Sequence, residues 1–244
     1  MFASVKERYG EFSIERVESM LKANGIDRHP LQQGASMILP GIPQTPWHEP
    51  YEHPDIAAVV QAFEAGYPAI KAEYEKAWQA DQFSTFENFL MTKPEWQALH
   101  LYRQGSLVEE ASDTAPTAFG ILKNEVVAKG KLCTLLESHF STLLPGTSIP
   151  PHNDLWNFSI VLHFAVDIPE NCGIRVAEET RQWREGKCLL FDYSFEHEAW
   201  NRGDRPRTCL LMDLWHPDTT PPEREALVGL VTEVRKLTER GKKK

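Results

Sequence analysis

Residues 150–168 read PPHNDLWNFSIVLHFAVDI, and the way their side chains alternate decides the fold. In an extended strand, residues two apart share a face. From 157 onward the even positions are Phe158, Ile160, Leu162, Phe164, Val166 and Ile168, all large and apolar. The odd positions are Asn157, Ser159, Val161, His163, Ala165 and Asp167, which are smaller or polar. One face therefore packs on a core, while the other lines a cavity or, as the plain alternative, meets water. Just upstream, Pro150 and Pro151 hold the chain extended. His152 and Asp154 then project to one side, an imidazole and a carboxylate able to take adjacent positions around an iron. His-x-Asp alone is a common pattern, and a distant second histidine is needed to complete a three-ligand face.

The same β character extends on both sides. Segments 129–143, 173–178, 186–193 and 207–215 are short, apolar or alternating, and are separated by Pro, Gly, Asn and Asp turns, which predicts an antiparallel β body. The first half differs. Residues 11–25 place Ile14, Val17, Met20 and Leu21 at helical spacing, with Ser13 as cap and Gly25 as stop. Residues 39–54, LPGIPQTPWHEPYEHP, hold five prolines and predict an ordered extended arm. A helix follows from Asp55 with Ile56, Val59, Val60 and Phe63 on one face; Pro68 should break it before a further helix to Trp78. At the end, PPEREALVGLVTEVRKLTERGKKK starts a helix on proline, buries Leu227, Leu230, Val231 and Val234, and closes in a solvated basic tail. The expected class is α+β, mainly β with flanking helices. The expected organisation is one domain over 1–244, with a helical and extended part (1–117), a β core (118–217) and a C-terminal helix and tail (218–244).

Composition narrows the partners. A formal charge of −9 disfavours nucleic acid and anionic membrane surfaces, leaving a small-molecule or peptide substrate. The start, MFASVKERYGEF, has no apolar signal core, and no run of about 18 apolar residues occurs, so neither a secretory signal nor a membrane span is expected. Cys133, Cys172, Cys188 and Cys209 form no CxxC pair, which fits reduced thiols and a cytoplasmic location. The oligomeric state is not encoded legibly.

The distal histidine comes from FDYSFEHEAWNRGDRPRTCLLMDLWHP, residues 191–217. His197 is read as lying in a turn after the strand Cys188–Tyr193, and Arg207, ten positions on, opens another apolar strand. Iron chemistry built on two histidines and a carboxylate commonly uses 2-oxoglutarate, whose far carboxylate needs a buried cation. Arginine suits that task because its planar fork binds a carboxylate through two bonds and stays charged when buried. Cys209, Leu211, Asp213 and Trp215 share the face of Arg207, which makes Asp213 a buried-polar candidate.

From LPGIPQTPW (39–47), through LLPGTSIPPH (143–152), to LWHP (214–217), the chain resembles the aspartyl/asparaginyl β-hydroxylase family of Fe(II)/2-oxoglutarate oxygenases. The resemblance implies a double-stranded β-helix, the jelly-roll or cupin-like arrangement of two facing antiparallel sheets. It implies Fe(II) held by His152 and His197, and 2-oxoglutarate held by Arg207 with Ser141 assisting and His163 contacting it from the next strand. It also implies O2 as the co-reactant, with a hydroxyl group inserted at the β-carbon of an Asp/Asn-like residue and succinate and CO2 released. Two positions depart from the pattern. Where animal members have glycine two after the first histidine, this chain has Asp154, which would complete a His152, Asp154, His197 metal face and leave no vacancy for a halide. Where members have an arginine two before the strand histidine, this chain has Val161.

Around the mouth, Arg175, Arg181, Arg205 and Trp156 are candidate substrate contacts. Glu196 and Glu198 flank His197 and could orient it. His48, His53 and His216 are expected to hydrogen-bond within packed turns, Gly186 to serve a turn and Phe191 the core. Two rival readings keep the same barrel: a cupin-like metal dioxygenase that does not use 2-oxoglutarate, and a binding protein without catalysis.

Overall fold

The structure, a computed structural model, describes residues 2–22, 28–86, 90, 95–103 and 105–242, side chains of 239–242 excepted. Its β body begins with β1 (Trp47–His48), β2 (Ser84–Thr85), β3 (Trp96–Arg103) and β4 (Ser106–Leu107). Eight further strands follow: β5 (Ser138–Leu143), β6 (Ser148–His152), β7 (Ser159–Asp167), β8 (Cys172–Val176), β9 (Glu179–Arg181), β10 (Cys188–Phe191), β11 (His197–Asn201) and β12 (Arg207–Trp215). They form an 8-stranded sheet in the order β1-β10-β7-β12-β5-β3-β2, with β4 beside β3, and a 4-stranded sheet in the order β6-β11-β8-β9. All named ladders are antiparallel. From β5 to β12 the chain passes back and forth between the two sheets, and this winding makes a double-stranded β-helix.

The face alternation of β7 explains how the sheet is clothed. Ile160, Leu162, Phe164 and Val166 are fully buried in one apolar cluster with Val59, Val60 and Phe63 of the long helix α3 (Pro54–Gln79). Phe164 meets Phe63 with ring centroids 5.7 Å apart. The opposite face carries Ser159, Val161, His163 and Ala165, also buried, because it looks into the space between the sheets. The solvent-facing alternative is thus excluded. Helices α4 (Ala111–Thr114) and α5 (Pro116–Ile121), with a π-helical turn at Leu122–Val127, extend the outer layer. The N-terminal α1 (Ala3–Tyr9) and α2 (Glu15–Leu21) pack with the C-terminal α6 (Pro221–Lys242) at the other side.

Several local expectations are corrected. Pro68 does not divide the helix, which runs unbroken through it. The burial of Ile56, Val59, Val60, Phe63, Ile70 and Tyr74 on one continuous face outweighs the single backbone bond that proline removes. Ser13 does not cap: α2 starts after Ile14, and among the described residues the Ser13 hydroxyl has no partner. The expected stop at Gly25 lies outside the described residues. The strand expected over 129–143 shrinks to Ser138–Leu143, with an isolated bridge at Leu132. The proline-rich arm reaches the sheet only as β1, at its edge, as prolines require. His197 is not in a turn; it is the first residue of β11.

Candidate metal centre

β6 and β11 are neighbours in the smaller sheet, and their register sets His152 directly opposite His197. The imidazole centroids are 4.1 Å apart. Each ring is turned by its own backbone: Nδ1 of His152 lies 2.8 Å from the Pro150 carbonyl, and Nδ1 of His197 2.9 Å from the Phe195 carbonyl. A carbonyl only accepts, so both Nδ1 atoms carry the proton and both Nε2 atoms keep a lone pair. Burial pushes His197 down to about 3, with the neighbouring His152 adding to the effect, so it is neutral at ordinary pH and fit to ligate.

Asp154 joins them. Its Oδ2 is 3.7 Å from His197 Nε2, and His152, Asp154 and His197 each offer an atom within 4.8 Å of the others. Two ligands of one metal, each at about 2.1 Å, lie about 3 to 4 Å apart, so the three side chains fit a single transition-metal ion. The preceding residue sets that direction. Asn153 donates from Nδ2 to the carbonyls of Leu31 and Ser194, both at 2.8 Å, and the Asp154 amide donates to the Tyr193 carbonyl at 3.0 Å. Gly34 lets Asn153 in: a Cβ there would stand 2.4 Å from its Oδ1. Asp154 itself is half-exposed at the mouth of the cavity.

Behind the cluster opens a cavity of about 330 Å³. Ser141, His163 and Arg207 reach it from β5, β7 and β12, which are adjacent strands of the larger sheet. Arg207 is 2% exposed, its Nε has no hydrogen-bond partner, and among the described residues it has no ion pair. Its guanidinium lies 4.4 Å over the Trp183 ring. Trp183 also stacks with His163, centroids 6.0 Å apart. His163 is pushed well below its ordinary value by burial and then by the Arg207 charge, and among the described residues its Nδ1 has no partner. Ser141 Oγ accepts a 2.8 Å bond from Trp96 Nε1, which leaves its own hydrogen free to donate into the cavity. A buried cation without a counter-ion is costly, so this end of the cavity is built for an anion.

Other expected contacts are engaged elsewhere. Arg175 pairs with Glu196 and Glu198 at 2.9 and 2.6 Å, so these glutamates do not orient His197; the Phe195 carbonyl does. Arg181 pairs with Glu49 and Glu179, and Arg205 with Asp167. Trp156 lines the cavity, yet its Nε1 is held inside by Ser159 and Tyr193. His48 and His216 pack edge to face at 5.3 Å, and His216 accepts from the Asp218 amide. Gly186 occupies a left-handed turn, while Phe191 packs in the core and lines the cavity. Asp213 also lines it, its carboxyl pushed well above the usual range by burial. Trp183, Trp96 and Asn153 escaped the sequence reading because each acts through a neighbour distant in the chain.

Fold and site together define a class: a double-stranded β-helix with a two-histidine, one-carboxylate cluster at the mouth of a cavity and a buried cation inside it. Residues 64–217 match the family described as Aspartyl/Asparaginyl beta-hydroxylase, and the chain belongs to that family. The mouse aspartyl/asparaginyl beta-hydroxylase is 34% identical over 195 residues, covering 78% of this chain and 26% of that protein. Human aspartate beta-hydroxylase domain-containing protein 2 is 29% identical over 239 residues, covering 91% and 62%. The ornithine lipid ester-linked acyl 2-hydroxylase of Rhizobium tropici is 31% identical over 168 residues, covering 65% and 57%. The chain thus spans less than two thirds of the length of each of these relatives. Among the described residues no helix is long and apolar enough to cross a membrane, and all four cysteines are free and buried.

Proposed function

We propose that this chain is an Fe(II)/2-oxoglutarate-dependent hydroxylase of a small-molecule or peptide substrate. The observation that carries the reading is Arg207, a buried guanidinium with no anionic partner among the described residues, lining the same cavity as the His152, Asp154, His197 cluster. His152, Asp154 and His197 would hold the iron through Nε2, a carboxylate oxygen and Nε2. Bound there with 2-oxoglutarate and O2, Fe(II) supplies the oxidising power for inserting a hydroxyl group into a C–H bond, with succinate and CO2 released. Arg207 grips the far carboxylate through its fork, Ser141 donates to it, and Trp183 holds the guanidinium flat. His163 bonds the same ligand from β7. The apolar lining from Ile149, Ile174, Phe191 and Ala199 excludes water around the reacting atoms.

The substrate follows from what the mouth offers. Arg175, Arg181 and Arg205 are neutralised by ion pairs, and position 161 is valine, so among the described residues no second unpaired cation lines the cavity. An Asp/Asn-like residue of a peptide or free amino acid remains the first reading, carried by the family. The apolar rim of Leu136, Leu155 and Leu211 supports a second, an acyl chain, in line with the name of the Rhizobium tropici relative, an acyl 2-hydroxylase.

The test is succinate release by purified protein with Fe(II) and 2-oxoglutarate, screened over amino acids, peptides and acylated amines, with product mass read for one added oxygen. Turnover is expected in wild type and none in His197→Ala. Wild type that binds neither ligand ends the proposal. Undiminished turnover in Arg207→Ala would instead favour the cupin-like dioxygenase that does without 2-oxoglutarate.

A further inference from the structure

A second histidine cluster sits on the larger sheet. β3 and β5 pair with His100 directly opposite His139, so the two imidazoles stand side by side on one face, centroids 5.1 Å apart. Glu137, two residues before His139, brings its Oε2 to 3.0 Å from His100 Nε2. The three residues each offer an atom within 4.8 Å of the other two. Glu137 is accounted for by its neighbours, since Arg103 takes the other carboxylate oxygen at 3.2 Å. His139 is not. It is 6% exposed, and among the described residues neither ring nitrogen has a hydrogen-bond partner. Phe86 stacks on its face at 4.9 Å and 17°, which fixes the ring but leaves both nitrogens unsatisfied. A leucine would fill that space without stranding two buried polar atoms.

We infer that His100, Glu137 and His139 form a second transition-metal site. Two imidazoles and one carboxylate suit a borderline divalent ion such as Zn2+ or Co2+, whereas Mg2+ and Ca2+ would ask for oxygen ligands throughout. The 3.0 Å between His100 Nε2 and Glu137 Oε2 is close to the spacing of two ligands that share one such ion at about 2.1 Å each. The ion replaces the hydrogen bond between those two atoms, whose proton leaves, and it gives His139 the partner it lacks. Depression of His139 to about 3, chiefly by burial, leaves it neutral and able to ligate. His139 lines the same cavity as His152 and His197, so an ion here would set a second positive charge against the substrate space.

The inference is independent of the activity proposed above, and metal stoichiometry tests it. Chelator-stripped protein is titrated with Co2+, read by its d–d absorption, and with Zn2+ by equilibrium dialysis. Wild type should bind two equivalents and His152→Ala/His197→Ala one. Adding His100→Ala and His139→Ala to that background should remove the last equivalent while the melting transition persists. No bound ion in His152→Ala/His197→Ala, or one that survives loss of His100 and His139, overturns the inference. Should the variants fail to fold, wild-type crystals soaked in Zn2+ decide: anomalous density between His100, Glu137 and His139 is expected, and its absence overturns the site.

Discussion

Arg207 and Asp154 face the same cavity with opposite charge, and each makes a separable prediction. Arg207→Met removes a buried cation that has no ion pair among the described residues and replaces it with an apolar group of similar length. Without ligand, the variant should melt no lower than wild type, because it no longer buries a charge without a counter-ion. 2-Oxoglutarate should raise the melting temperature of wild type and leave Arg207→Met unmoved. A variant stabilised by 2-oxoglutarate as wild type is would refute the assignment. Asp154→Gly leaves two imidazoles to hold the metal, and Fe(II) affinity measured by anaerobic titration should fall by about tenfold or more, since one charged ligand is worth at least 1.4 kcal/mol. An unchanged affinity would mean that Asp154 turns aside from the ion.

The turn between β6 and β7 shows how an element's ends place chemistry that the element itself does not determine. Asn153 ties this segment to two carbonyls, that of Leu31 and that of Ser194 in the turn before β11. Asn153→Ala strands the Ser194 carbonyl, while the Leu31 carbonyl keeps the Glu196 amide as donor, and should cost about 1–3 kcal/mol in denaturant unfolding. It should weaken Fe(II) binding as well, because Asp154 loses its anchor; a variant that loses stability yet keeps full metal affinity would show that the Asp154 backbone bond suffices. On the outer face of β7, Phe164 is fully buried between α3 and the sheet. Phe164→Ala should cost about 3–5 kcal/mol in the same measurement while leaving the metal site's ligands untouched.

Across the whole molecule, buried imidazoles make stability depend on pH. Burial pushes His48 down to about 4, His139, His197 and His216 to about 3, and His163 well below its ordinary value. In the unfolded chain each takes a proton near pH 6.5. Between those limits the unfolded state binds more protons, so stability is full above about pH 6.5 and falls as pH drops toward 3. Asp192, Asp213 and Asp154 work the other way: burial raises all three, Asp192 to about 7, so their protonated forms favour the native state and their contribution declines as pH rises above about 4. Five histidines outweigh three aspartates. The metal-free protein should therefore melt markedly lower at pH 4.5 than at pH 6.5, and a flat profile over that range would contradict the burial of these rings.

The sequence alone determined the architecture wherever a local period reports it. The alternation at 158–168 separated the helix-packed face of β7 from its cavity face, because a strand's side chains obey period two whatever surrounds them. His152, His197, Ser141, His163 and Arg207 were legible through family motifs, Asp154 through its His-x-Asp spacing where the family pattern has glycine, and all six line one cavity. Tertiary structure decided what depends on distant partners. Pro68 stays inside a helix because the sheet beneath pins both halves. His197 begins a strand because β6 and β8 hydrogen-bond it on either side. Glu196 and Glu198 turn to Arg175 rather than to the histidine between them. His100 and His139, unremarked in the chain, become a pair only through the register of β3 on β5. A motif records which side chains a site needs. Hydrogen-bond register and burial between residues far apart in sequence determine which of them meet.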